Sequence, residues 1–299
     1  MTIDVSPAPP SRTHAWLMAA RPPTLPAAVV PVLVGTAAVA RLGFLPLAFA
    51  AALLAAVLIQ IGTNFANDFF DFHKGADTAE RLGPVRVTQS GLIPPNTVRS
   101  AMVLVFGLAA LVGLYLVVIG GWPILVIGLL SISAGVLYTG GPYPLAYHGL
   151  GDLFVFIFFG LVAVCGTAYL HISTVPSVAW FAALPVALIV TAIIVVNNLR
   201  DIDTDRLAHK HTLAVLLGRR ATRFEYLILV AAAYLLLPLG PLLGLTSAWA
   251  LLPLLTLPIA VALVRTVFGV EGRPLNRALA GTGRLHMLFG VLLALGLLL

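Results

Sequence analysis

The sequence predicts an all-α integral membrane protein, one polytopic domain of nine transmembrane helices with a cytoplasmic N-terminus. Three observations predict it. The 299-residue chain is 60% hydrophobic and 9% charged, whereas soluble domains carry roughly 25% charged residues. Apolar runs long enough to cross a bilayer, about 20 residues each, recur along the chain, and mean hydropathy is +1.05. The basic residues are also sorted by side. With nine spans and a cytoplasmic start, every one of the 17 Lys and Arg residues except Arg41 falls on the cytoplasmic side, as the positive-inside rule requires.

The first span, 24–40, follows Arg12 and Arg21. With Ala-Val-Ala at 38–40 it imitates a cleavable signal peptide. Pro26 and Pro31 interrupt its apolar part, and cleavage would leave an even number of helices, so the span is kept. The second, 44–66, runs into "NFANDFFDFHKGAD" at 64–77. Spans three and four, 97–118 and 122–138, meet at "GGW". Five and six, 150–170 and 176–197, meet at "HISTVP". Spans 224–240, 246–265 and 282–299 complete the set, the last ending in a packing or lipid-facing run with no polar chemistry. Prolines near span starts fit helix entry, and tryptophans near predicted interfaces fit an aromatic belt. No remaining stretch could form a separate soluble domain.

The single cysteine, Cys165, excludes an intrachain disulfide framework and a multi-cysteine metal site. It lies within an apolar span and reads as a small packing residue. The net charge of +6 is dispersed among membrane loops, so nucleic acid is not an expected partner.

The outer connections are short and the inner ones, 67–96, 138–150, 198–223 and 266–281, are long. Long loops in a compact protein are functional or disordered. Asp68, Asp71, Asp77, Glu80, Asp201, Asp203 and Asp205, out of 11 acids, crowd into two of these loops or the helix ends feeding them. Asn64, Asn67, Asp68 and Asp71 stand at i, i+3, i+4 and i+7, one stripe of a helix. Asn198, Asp201 and Asp205 repeat the device at i, i+3 and i+7, with Asp203 on the other side. The recurrence four spans later points to two related four-helix halves plus a ninth helix.

At about 5–6 Å and an effective dielectric near 20, each like-charge pair on such a stripe costs on the order of 3 kcal/mol. Protonation or a bound divalent cation would relieve it. Hard Asp and Asn oxygens suit Mg²⁺, which binds through a few carboxylates plus substrate phosphates. One cluster alone reads equally well as a solvated helix end; two in matched register on the same side favour the metal. Lys74, Arg81 and Arg86 follow the first cluster, while Arg200, Arg206 and Lys210 surround the second. Such cations serve either as topology signals or as partners for a diphosphate, and Lys74 and Lys210 are best placed for the second role.

"NDFFD" followed by "DIDTD" resembles the paired aspartate-rich motifs of the UbiA superfamily of intramembrane prenyltransferases. "RPPTLPAAVVPVLVGTA", "NDFFDFHKGADTAERLGPVRVTQSGLIPP", "LYTGGPYPLAYHGLGDLFVFIFFG" and "NNLRDIDTDRLAHKHTLAVLLGRR" resemble its MenA branch, which prenylates 1,4-dihydroxy-2-naphthoate. The likeness covers residues 20 to 290. It implies nine helices bundled around a central cavity that opens to lipid, and Mg²⁺ bridging the Asp-rich helices to a polyprenyl diphosphate. It also implies loss of the naphthoate carboxyl on prenylation, giving demethylmenaquinone, at a cytoplasm-facing site in the cell inner (cytoplasmic) membrane. Carried over by position, the catalytic metal and diphosphate residues are Asn67, Asp68, Asp71, Asp201 and Asp205. Asn64 and Asn198 join as substrate-binding residues on the helical-stripe argument, with Lys74, Arg86 and Lys210 for the diphosphate. Relatives outside the branch carry a further aspartate where this chain has Gly75, a helix-ending residue, which leaves the role of Asp77 open.

Aromatic faces can stabilise an allylic cation, and Phe69, Phe70, Tyr138 and Tyr147 are the candidates, with core packing the simpler reading of the two phenylalanines. The Gly- and Pro-rich stretch 138–152 is a shaped loop. In it Tyr138 is the first choice for positioning diphosphate or acceptor, followed by Tyr147 and His148. Asp152 reads equally as a site residue or as an acid complementing a helix N-terminus. His171, on the other side of the membrane, is expected to take no part in chemistry. Two alternatives remain: another aromatic acceptor, 4-hydroxybenzoate or homogentisate, and a secondary transporter, since intramembrane carboxylates often mark ion routes. Transporter sites lie near the midplane, whereas these acids gather at one face.

Overall fold

The computed structural model describes residues 10–75 and 82–299; Asp77, Glu80 and Arg81 lie outside them. All regular secondary structure among the described residues is helical. A short helix, α1 (Arg12–Ala20), precedes the first expected span and has no counterpart in the sequence reading. Ser11 caps it, its hydroxyl accepting from the His14 N–H at 3.3 Å. Arg21 ends it in the left-handed region at φ 51°. A 3₁₀ turn, Pro22–Thr24, leads into α2 (Pro26–Val39), and the chain bends by 47° between the two segments. The bend lays α1 across the bundle end, with Trp16 edge-on to Phe65 at 5.7 Å.

Helix α3 (Pro46–His73) has 28 residues. At 1.5 Å per residue that is about 42 Å, longer than an apolar bilayer core of about 30 Å, and Asn67, Asp68 and Asp71 lie in its last two turns. Gly75, at φ 67°, follows it, the conformation only glycine adopts without cost. Helix α4 (Pro95–Leu137) spans 43 residues but is broken at Gly121, φ 68° and ψ −159°. Its two arms fold back on one another. A Cβ on Gly135 would lie 3.4 Å from the Phe106 ring, and one on Gly62 would lie 2.8 Å from the same ring. On a straight helix residues 106 and 135 would stand about 43 Å apart.

Helix α5 (Gly151–Ile172) includes a π-helical stretch at Phe156–Val162. Helix α6 (Ser177–Arg200) is the interior helix; Ala182, Ala183, Ala187 and Ala192 are fully buried along it. Small residues let neighbours approach closely, and a Cβ on Gly160 of α5 would lie 2.1 Å from that of Ala187. A short α7 (Ile202–Leu207) follows, then α8 (Leu213–Leu236), capped by Thr212 and broken at Gly218. Helices α9 (Ala248–Gly269) and α10 (Leu275–Leu298) complete the chain. The main core joins α2, α6, α8 and α10 through Val30, Val186, Tyr226 and Phe289. Large apolar side chains such as Leu111, Val118, Trp122 and Leu242 point outward, an arrangement that suits lipid and not water.

The two bundle ends differ. At one, Arg41 donates to the Leu298 carbonyl at 2.8 Å and covers the end of α10. There too, the Leu45 N–H donates to His171 Nδ1 at 3.2 Å, so the ring proton sits on Nε2 and donates to Thr36 at 3.1 Å. His171 is thus a structural tie. The other end holds the acids.

Candidate active site

The first acidic segment is the projecting end of α3. Asp68 is 1% exposed and Asp71 2%, burial that carboxylates tolerate only when paired. Asp68 meets Arg21 at 3.2 Å, Arg86 at 3.5 Å and the Thr88 hydroxyl at 3.4 Å. Asp71 accepts from Arg86 at 3.3 Å and from the Tyr147 hydroxyl at 2.9 Å. Arg86 and Thr88 are delivered by a tight turn pinned into the core by buried Val87 and Ile93, whose backbones bond at 3.1 Å. Asn67 accepts from the Thr139 hydroxyl at 2.9 Å, and the Thr139 carbonyl accepts from Lys74 at 2.7 Å.

Asn64 departs from the helical-stripe expectation. Its amide donates to the Ala20 carbonyl at 2.9 Å and to the Thr24 hydroxyl at 3.0 Å, while Gln60 donates to its oxygen. One turn further from the helix end than Asn67, it is committed to holding the 20–24 bend against α3, the contact that brings Arg21 to Asp68.

The second acidic segment is less regular than its sequence spacing. Helix α6 ends at Arg200 and α7 starts at Ile202, with Asp201 at φ −95° and ψ 8° between them. The backbone ladder nonetheless carries through, the Asp205 N–H bonding the Asp201 carbonyl at 2.7 Å. Asp201 accepts from Arg200 Nε at 2.7 Å and also from its Nη2. Asp205 lies 3.8 Å from Lys210. Asp203 points outward to Arg219, and Arg206 is exposed. Asn198 donates to buried Asp152 at 3.4 Å.

Tyr147 joins the two segments. Its hydroxyl holds Asp71, and Lys74 and Lys210 sit over its ring at 4.9 and 5.4 Å. Lys210 in turn reaches Asp205. Tyr138 shares the field of Asp152, Asp71 and Asp205. Partial burial pulls the Lys74 ammonium below the ordinary lysine value, and Asp71 opposes that shift. His148 is occupied locally, stacked on Tyr143 at 3.5 Å. Phe70 packs where a Cβ on Gly140 would lie, a core contact. An apolar recess of about 460 Å³ at the opposite bundle end, lined by Leu33, Ala37, Phe49 and Leu295, offers no comparable polar group.

Several participants were not picked out as site residues from the sequence. Arg21, Thr88 and Thr139 come from separate turns, and Glu225 of α8 lies within electrostatic range of Asp152. A carboxylate inside an apolar span is itself a marker of function, and that signal could have flagged Glu225.

The donor set fits a hard divalent cation. Asp68, Asp71, Asp201 and Asp205 supply carboxylate oxygens, each residue less than a tenth exposed. No three His, Cys, Asp or Glu side chains among the described residues converge into a metal cage. Mg²⁺ itself needs only one or two protein carboxylates, since water and substrate phosphate complete its shell.

Residues 28–282 match the model of the UbiA prenyltransferase family. The chain is 39% identical to the 1,4-dihydroxy-2-naphthoate octaprenyltransferase of Escherichia coli, over 93% of this chain and 94% of that one. To the Mycobacterium tuberculosis enzyme of the same name it is 40% identical, over 93% and 95%. Among solved structures it resembles a UbiA homolog from Aeropyrum pernix, TM-score 0.68 at 18% identity, over 96% of this chain and 98% of that one. A UbiA homolog from Archaeoglobus fulgidus bound to GPP and Mg²⁺ superposes with TM-score 0.64 at 15% identity, over 95% and 99%. With the family model matched across most of its length, this chain belongs to the UbiA prenyltransferase family.

Proposed function

We propose that the protein transfers a polyprenyl group from polyprenyl diphosphate to 1,4-dihydroxy-2-naphthoate, with loss of the carboxyl group, giving demethylmenaquinone at its quinol oxidation level. One observation carries the reading: two buried acidic segments meet through Tyr147, with Lys74 and Lys210 on its ring, at one end of an apolar bundle. The names of the relatives that match over nearly the whole chain supply the acceptor. On this reading the arms of α4 are separate spans and the bent N-terminal pair is one, nine in all, and the acidic end faces the cytoplasm from the cell inner membrane.

In this reading Asp68, Asp71, Asp201 and Asp205, with Asn67, hold Mg²⁺. Bound there, the cation neutralises charge that accumulates on the departing diphosphate. Lys74, Lys210 and Arg86 add fixed positive charge at the same oxygens, strongest where water is excluded. Tyr147 keeps Asp71 oriented and the two lysines in place. The allylic C–O bond breaks with its electron pair going to diphosphate, and a ring carbon of the acceptor forms the new C–C bond as carbon dioxide leaves. The apolar bundle keeps water from the allylic cation, which water would trap as an alcohol. Tyr138, Asn198 and Asp152 form the acceptor side, with Tyr138 presenting its ring to the cation.

The test is acceptor choice. Membranes containing the protein, Mg²⁺ and a long prenyl diphosphate are expected to prenylate the naphthoate. Prenylation of 4-hydroxybenzoate or homogentisate in its place would reassign the acceptor, and substrate uptake into proteoliposomes without product would return the transporter reading.

A further inference from the structure

Among the described residues Arg200 is the largest of the fully buried side chains, 1% exposed. It sits at the charged end of α6, and each of its three guanidinium nitrogens donates a hydrogen bond. Nε donates to Asp201 Oδ1 at 2.7 Å, and Nη2 to Asp201 Oδ2 and to Asn197 Oδ1, the latter at 3.0 Å. Nη1 donates to Asn276 Oδ1 at 2.8 Å, and the Asn276 amide passes the link on to the Leu82 carbonyl at 2.9 Å. The next residue, Gly83, lies flat against the guanidinium, where a Cβ would fall 2.8 Å from Nη2 and 3.1 Å from Cζ. Three residues later the same segment delivers Arg86 to Asp68 and Asp71. A single side chain therefore touches the second acidic segment, the start of α10 and the root of the turn that serves the first.

Resting on the prenyl-transfer reading above, we infer that Arg200 is a positioning residue that registers the two acidic segments against one another. It fixes the Asp201 carboxylate from behind and seats the Leu82–Gly83 segment that presents Arg86. A carboxylate has about four lone-pair sites, so the fork leaves Asp201 able to face a cation. The planar, bidentate geometry is one that only arginine supplies; lysine keeps the charge and loses the fork. A side chain at 83 would meet the guanidinium, its Cβ falling 2.8 Å from Nη2, so the fork on Asp201 or the 82–83 backbone has to shift to admit it.

The test compares Arg200→Lys and Gly83→Ala with the parent protein in detergent. Mn²⁺ is titrated by electron paramagnetic resonance in the presence of a non-reacting prenyl thiodiphosphate, alongside thermal midpoints and steady-state constants. Both variants are expected to bind Mn²⁺ about 10-fold more weakly, the lower end of what outer partners of metal ligands contribute. The KM for prenyl diphosphate rises in parallel, while the KM for the acceptor and the thermal midpoint stay near parental values. Gly83→Ala reaches the same fork without removing any hydrogen-bonding group, so it keeps the test open if Arg200→Lys fails to fold. Parental Mn²⁺ binding in both variants overturns the inference, as does a loss of stability that depresses every constant alike. Asp205→Ala separates the two levels. If it abolishes Mn²⁺ binding while Arg200→Lys leaves it intact, only the role of Arg200 falls; if Asp205→Ala also binds normally, the metal reading itself fails.

Discussion

Replacing Tyr147 with phenylalanine removes one oxygen and leaves the ring. In the native structure that hydroxyl donates to Asp71 at 2.9 Å, and Asp71 is 2% exposed, so water cannot easily substitute. A hydrogen bond to a charged group contributes roughly 1.5–3 kcal/mol. Asp71 keeps Arg86 at 3.3 Å, which argues for the lower half of that range, about 10-fold in rate. The ring under Lys74 and Lys210, at 4.9 and 5.4 Å, is untouched in Tyr147→Phe but lost in Tyr147→Leu. Cation–π contacts at accessible sites contribute about 0.5–1 kcal/mol each, so the leucine variant should lose several-fold more, mainly as a higher KM for prenyl diphosphate. The assay is kcat/KM for prenyl diphosphate in detergent at saturating acceptor, with the thermal midpoint as a control for folding. Parental kcat/KM in Tyr147→Phe, or equal losses in the two variants, would refute the bridging role.

Asp71→Ala and Asp205→Ala should each lower kcat by roughly 100-fold or more, the scale on which removal of one preorganised electrostatic group acts; product assays in detergent with and without chelator check this, and chelation should abolish turnover of the parent. The lowered pKa of Lys74 means that its ammonium is lost at lower pH than a solvated lysine's. As pH rises, the KM for prenyl diphosphate should therefore climb early, and Lys74→Arg should move that alkaline limb upward; an unmoved limb removes Lys74 from diphosphate binding. Gly160→Val should lower the thermal midpoint, since even its Cβ would sit 2.1 Å from that of Ala187, and overpacking of this kind costs about 1–3 kcal/mol.

The membrane fold and the acidic end were legible because each rests on strong local signals. Apolar runs of spanning length have few other uses, and the recurrence of Asn and Asp at helical spacing survives in the end of α3. What escaped was set by side chains from distant turns. Asn64 stands on the predicted stripe, yet its partner is the Ala20 carbonyl, in a bend that no hydropathy pattern marks. Asp201 and Asp205 were expected on an unbroken helix, and Arg200 was expected as a neighbour of the acids. The structure instead turns the chain at Asp201 and buries the guanidinium beneath it. Arg21 and Thr88 meet Asp68 across 47 and 20 residues of sequence, distances over which one chain, read alone, carries no contact information.

The most direct measurement is anomalous scattering from crystals grown with Mn²⁺ and a non-reacting prenyl thiodiphosphate. Prenyl transfer by paired acidic segments predicts Mn²⁺ peaks beside Asp68 and Asp71 on one side and Asp201 and Asp205 on the other, with the diphosphate between them. Peaks confined to one segment, or a diphosphate bound elsewhere in the bundle, would contradict it.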